Sequence, residues 1–105
     1  MRAEIFSGAC REPKIYQAIR SYLEQMMQVI VEISFYPMTV DYDTHILAFV
    51  DRLRSYEGVQ VTVGQTSTVL QGYYTDVFQI LESECQTVLS RDMRSVLVMK
   101  MLNTR

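Results

Sequence analysis

The tightest constraint on this chain is a change of period at Gln28. Over Gln28–Tyr36, QVIVEISFY, side chains alternate. Val29, Val31, Ile33 and Phe35 fall on one side of a strand, and Ile30, Glu32, Ser34 and Tyr36 fall on the other. Pro37 ends the run, because proline cannot donate to a ladder. The preceding stretch, Glu12–Met27, has helical spacing instead. Ile15, Ala18, Ile19, Tyr22, Leu23 and Met26 form one stripe, and Pro13 stands where a first helical turn tolerates proline.

Beyond Pro37, a polar loop leads to Asp43, a suitable N-cap for a helix reaching about Ser55 with Ile46, Phe49, Val50 and Leu53 on its apolar side. Gly58 follows that helix. Val59, Val61 and Val63 then alternate as a half-buried strand, and Gly64-Gln65-Thr66-Ser67 turns the chain into a second strand, Thr68–Gln71, closed by Gly72. A helix from Thr75 or Tyr74 to about Leu89 carries Phe78, Leu81, Cys85 and Val88 at helical spacing, and Ser95–Leu102 is a last strand. The order β-α-β-β-α-β predicts an α+β, ferredoxin-like fold: a four-stranded antiparallel sheet with two helices on one face, plus an extra N-terminal helix. In 105 residues this is one ferredoxin-like domain over 28–105, preceded by the helix at 12–27 and a flexible segment at 1–11.

A solvated sheet face should read polar, yet the last strand is apolar on both sides. Val96 and Val98 fall on one side, and Leu97, Met99 and Met101 on the other. Ile30 and one of Val69 and Leu70 also point away from the helices. The face therefore calls for a cover, and a second copy of the same sheet is the simplest one. A homodimer at least is expected, with a tetramer as the next step.

Charge and composition narrow the function. Ten Lys+Arg against twelve Asp+Glu give a net charge of −2, without the basic footprint of a nucleic-acid binder. No apolar run approaches the ~20 residues of a membrane span, and MRAEIFSGACREPK lacks an apolar signal core, so a cytoplasmic location is expected. Two cysteines, Cys10 and Cys85, are too few for a disulfide scaffold, and with one histidine, His45, neither a zinc site nor a His-dependent nucleophile is favoured. No cofactor is expected. Cys85 reads as a small core residue, His45 as a solvated one, and Met99 and Met101 suit an adaptable interface.

The residues also carry a resemblance. Ser34-Phe35-Tyr36-Pro37 closes the first strand, Asp41-Tyr42 precedes the first helix of the repeat, and Gly64, Ser67-Thr68, Gly72 and Asp76-Val77-Phe78 follow in order. The pattern resembles the YkoF-like, thiamine/hydroxymethylpyrimidine-binding family over roughly 28 to 103. The resemblance implies a non-enzymatic protein that binds the aminopyrimidine part of thiamine in a pocket at the sheet face or a subunit interface. Members with two such repeats in one chain imply that a second subunit completes this single one.

A pyrimidine needs an aromatic face and a few polar groups at its edge. Glu32, Ser34 and Tyr36 share one strand face. Under that resemblance Glu32 would accept from the exocyclic amine and attract the thiazolium charge, Tyr36 would stack, and Ser34 would bond a ring nitrogen. The plainer alternative leaves Glu32 in solvent and Tyr36 at a dimer contact. In the resembling family the pair matching Ser67 and Thr68 lies near the ligand, although turn hydroxyls ordinarily satisfy local backbone. Asp41 is a candidate for an acidic rim that attracts a cation, while Asp43 is more simply a cap. Two rival readings remain open: a small cofactor-free enzyme of the monooxygenase or isomerase kind on a dimeric ferredoxin-like fold, and a ligand-free assembly or regulatory module.

Overall fold

The structure, a computed structural model, describes residues 13–104 apart from the side chains of Glu24 and Gln25. The expected flexible segment and Cys10 lie outside the described residues. Helix α1 (Lys14–Met26) is followed by β1 (Gln28–Pro37), α2 (Tyr42–Arg54), β2 (Val59–Val63), β3 (Thr68–Tyr73), α3 (Tyr74–Leu89) and β4 (Ser95–Asn103). The four strands form one sheet in the order β2-β3-β1-β4, and every neighbouring pair is antiparallel. This is the ferredoxin-like arrangement, with α1 added in front.

β1 is the keystone, paired with β3 on one side and β4 on the other. Its alternation is realised as expected: Val29, Val31, Ile33 and Phe35 are buried in one cluster with Phe49 and Leu53 of α2 and Val77, Ile80, Leu81 and Val88 of α3. Val31, Ile33, Leu53, Leu70, Val77 and Val88 are fully buried, each stabilising the fold by roughly 1.5–3 kcal/mol. The register puts Ile30, Glu32, Ser34 and Tyr36 opposite Leu102, Lys100, Val98 and Val96 on the face without helices. Val69 lies on that open face opposite Glu32, whereas Leu70 is in the core.

Three local readings change. α2 begins at Tyr42 with Asp41 as its N-cap residue, and Asp43 sits in the first turn, where its carboxylate accepts from the Thr44 N–H at 2.8 Å. β3 continues to Tyr73, so Gly72 is inside the strand. A Cβ there would come within 2.9 Å of Val59 Cγ1 and 3.0 Å of the Gly58 carbonyl, so glycine lets β2 and β3 approach. Gly58 itself adopts φ +88°, which glycine accepts without steric cost.

The third change concerns α3, whose buried face is Val77, Ile80, Leu81, Glu84 and Val88. Phe78 stays exposed and its ring packs tilted against Tyr74, 4.6 Å between centroids. Cys85 is half-buried, its thiol pushed up by burial and then by Glu84. Glu84, only 4% exposed, takes a core position. It is held by Arg52 Nε at 2.7 Å and by the Tyr56 hydroxyl, which donates to its other oxygen at 2.7 Å. These two bonds bolt α3 to α2 and to the residues that follow it. Glu84→Ala leaves a guanidinium and a hydroxyl without their acceptor, and denaturant unfolding is expected to show a loss of about 3 kcal/mol. Glu84→Gln, which keeps an acceptor, should lose less.

Candidate functional site

Three segments converge at one end of the sheet: the end of β1, the start of α2, and the β2–β3 turn. The turn is closed by the Gly64 N–H donating to the Ser67 carbonyl at 2.8 Å. It is then fastened to the open face of β1 by two side chains. Ser67 Oγ donates to Glu32 Oε2 at 2.7 Å, and Ser34 Oγ donates to the Thr66 carbonyl at 3.2 Å. Lys100 Nζ on β4 meets Glu32 Oε1 at 2.9 Å, so Glu32 ties the turn to β1 and β4 together.

Two adjoining cavities lie behind this turn. A small one of about 90 Å³ sits between Ile33 and Phe35 of β1, Phe49 and Val50 of α2, and the turn residues Ser67 and Thr68. A larger one, about 430 Å³, is lined by Tyr36, Pro37 and Met38 at the strand end, by Tyr42 and Ile46 of α2, and by the turn. Phe35, Ile46, Gln65 and Thr66 line both. The space is thus apolar and aromatic on its walls, with an amide and a hydroxyl side chain at the turn.

The candidate residues distribute unevenly around it. Tyr36 lines the large cavity, and Ser67 and Thr68 line the small one. Glu32 and Ser34 line neither; they hold the turn from the open face. Asp41 lies in the exposed loop before α2, accepting from the Thr39 hydroxyl at 2.9 Å. Met38 carries no binding signal in its residue type, and Tyr42 enters the resemblance only within the Asp41-Tyr42 pair, yet both stand on the wall. The signal that finds them is topological, because an antiparallel β1–β3 pair puts the β2–β3 turn beside the end of β1.

His45 is half-buried rather than solvated. Arg91 Nη1 lies 3.2 Å from its Nδ1, and since arginine can only donate, Nδ1 is the acceptor. Nε2 then carries the proton and faces Asp41 Oδ1 at 3.5 Å. The α3–β4 loop is thereby joined to the start of α2. No cluster of metal-ligating side chains exists among the described residues, and no helix there is long and apolar enough to cross a membrane.

Both acids are held below the usual carboxylate range. The Ser67 hydroxyl, and next Lys100, lower Glu32; the Thr39 hydroxyl, with the backbone and His45, lowers Asp41. Their folded-state values lie below those of the unfolded chain. Their contribution to stability is therefore complete above the ordinary carboxylate range and is lost as pH falls through the lowered values. In a carbon-detected NMR titration, Ser67→Ala should move the Glu32 midpoint upward and leave that of Asp41 in place.

Comparison with known proteins agrees with this architecture. A candidate thiamine biosynthesis/salvage protein from Thermotoga maritima superposes with a TM-score of 0.64 at 18% identity, covering 74% of this chain and 84% of its own. A hypothetical protein from Methanocaldococcus jannascii gives 0.64 at 22%, covering 76% and 84%. A Streptococcus pneumoniae protein gives 0.67 at 20%, covering 75% and 89%. At these identities the likeness is one of fold. No curated protein matches the sequence. The YKOF-related family matches residues 28–101, from the first residue of β1 into β4. With all but the last residues of its sheet and both covering helices inside that match, the chain belongs to the YKOF-related family.

Proposed function

We propose that this protein binds thiamine or its hydroxymethylpyrimidine part in the cavity at the end of β1 and carries out no reaction on it. The observation that carries this reading is the cavity itself. Its volume of about 430 Å³ falls within the ~300–1,000 Å³ usual for small-molecule sites. Tyr36 and Tyr42 offer ring faces to an aromatic heterocycle, and Gln65 and Thr66 offer donors and acceptors for its edge. Asp41, held below the usual carboxylate range chiefly by the Thr39 hydroxyl, places negative charge next to the wall residue Tyr42 and suits a cationic thiazolium, while Glu32, paired with Lys100, serves by fixing the turn. Family membership and a structural neighbour described in terms of thiamine biosynthesis or salvage support the same chemistry.

The open sheet face supports a homodimer as the working unit. Val96, Val98 and Leu102 are all substantially exposed on it, around the Glu32–Lys100 pair. Two copies meeting through this face bury the apolar side chains and hold the β2–β3 turn from outside.

Two experiments test these readings. Calorimetric titration with thiamine and with hydroxymethylpyrimidine is expected to give binding well below millimolar for at least one of them. Tyr36→Ala should weaken it roughly tenfold, about 1.4 kcal/mol, and Glu32→Gln should weaken thiamine more than Asp43→Asn does. No binding of either compound by an intact oligomer excludes the proposal. Separately, Val98→Glu sets two like charges near a two-fold axis, and light scattering should then report half the native mass with the fold retained.

A further inference from the structure

Helix α1 lies outside the family match. It meets α3, yet every described side chain along it is exposed. At 13 residues it is at the length where a lone helix is marginal in water, below ~15 residues. Its first turn carries no acid and its last turn no base, so its dipole is not offset by its own termini. Its contact with α3 leaves the apolar stripe in water.

The spacing of those apolar residues fits a second helix. Ile15, Ile19, Tyr22 and Met26 follow one another at intervals of four, three and four, which are successive d-a-d-a positions of a heptad. Ala18, Tyr16 and Leu23 flank that seam without charge, while Lys14 and Arg20 stand off it. The six large apolar side chains Ile15, Tyr16, Ile19, Tyr22, Leu23 and Met26 are 47–66% exposed. Together they leave on the order of 700 Å² in water, an upper bound on what one copy can bury by pairing, against the ~800 Å² per partner of a standard interface.

We propose that α1 pairs antiparallel with α1 of a second copy of this chain. Ile19 then faces the partner's Tyr22, and Ile15 faces the partner's Met26. The antiparallel sense follows from the attachment of the helix. Only Met27 separates α1 from β1, and the Met27 carbonyl accepts from the Tyr74 N–H at 2.7 Å, so the domain is anchored at the C-terminal end. A parallel pair would bring two domains together at that end, whereas an antiparallel pair sets them at opposite ends and opposes the two dipoles. The seam is distinct from the open sheet face. A chain with both surfaces assembles as pairs of dimers.

Light scattering on the full-length chain tests this. Ile19→Glu and Tyr22→Lys, each alone, should halve the mass, with the sheet signature in circular dichroism retained and the thiamine titration unchanged. Mixing the two variants should restore the larger mass, because the carboxylate introduced at position 19 of one copy then faces the ammonium introduced at position 22 of the other. Unchanged mass for Ile19→Glu overturns the proposal, and failure of the mixture to reassociate overturns the antiparallel register. A wild-type chain that is monomeric through α1 and instead sediments with phosphatidylcholine–phosphatidylglycerol vesicles overturns it as well. Because Val98→Glu acts on the other face, each variant alone halves the mass, and Val98→Glu combined with Ile19→Glu should bring it to a quarter; a double variant that stays at half overturns the two separate seams.

Discussion

Everything in this molecule hangs on the two-sided pairing of β1. As the strand between β3 and β4, it has no freedom of register: a one-residue slip would turn Val29, Val31, Ile33 and Phe35 out of the core and bring Glu32 into it. The cost of that exchange fixes which side chains the open face receives. Glu32 therefore stands between Lys100 on one neighbour and Val69 on the other, in reach of the β2–β3 turn.

The site is a consequence of that placement. A turn of Gly64 to Ser67 has little apolar area of its own, and it takes its position from Glu32 and Ser34 on the strand beneath it. Once it is held there, the gap between the turn and α2 becomes a defined cavity whose remaining wall comes from the end of β1. The polar groups that fasten the turn lie on the open face of β1, whereas Ile33 and Phe35, on the opposite face, line the space. A carboxylate of this kind shapes the cavity by holding the turn.

Much of this was legible in residue order. The alternation over β1 and the helical spacing of Phe49, Val50 and Leu53 are strictly periodic, and both led to the observed core. The resemblance carried by Ser34–Pro37, Ser67-Thr68 and Asp76–Phe78 pointed to the family that the match over 28–101 shows. What escaped was whatever depends on distant pairing. Glu84 has the residue type of a surface position, and its partners, Arg52 and Tyr56, are 32 and 28 residues away in the chain. Gly72 resembles a strand end because the neighbour that demands its missing Cβ is on another strand. Tyr42 and Met38 become wall residues only when three segments meet, which no local pattern encodes.

The Met27 joint has a further consequence. The cavity is at the C-terminal end of β1 and α1 is at the N-terminal end, so the strand acts as a strut of roughly 33 Å between them. A strut bonded along both edges bends little, and it isolates what happens at one end from what happens at the other. Under the proposed helix pairing, substitutions in α1 would change how copies gather without moving a wall of the cavity. With a ligand in the cavity and the helices paired as proposed, the pocket and the helix seam stand a strand's length apart, so filling the one and pairing the other are expected to be thermodynamically independent.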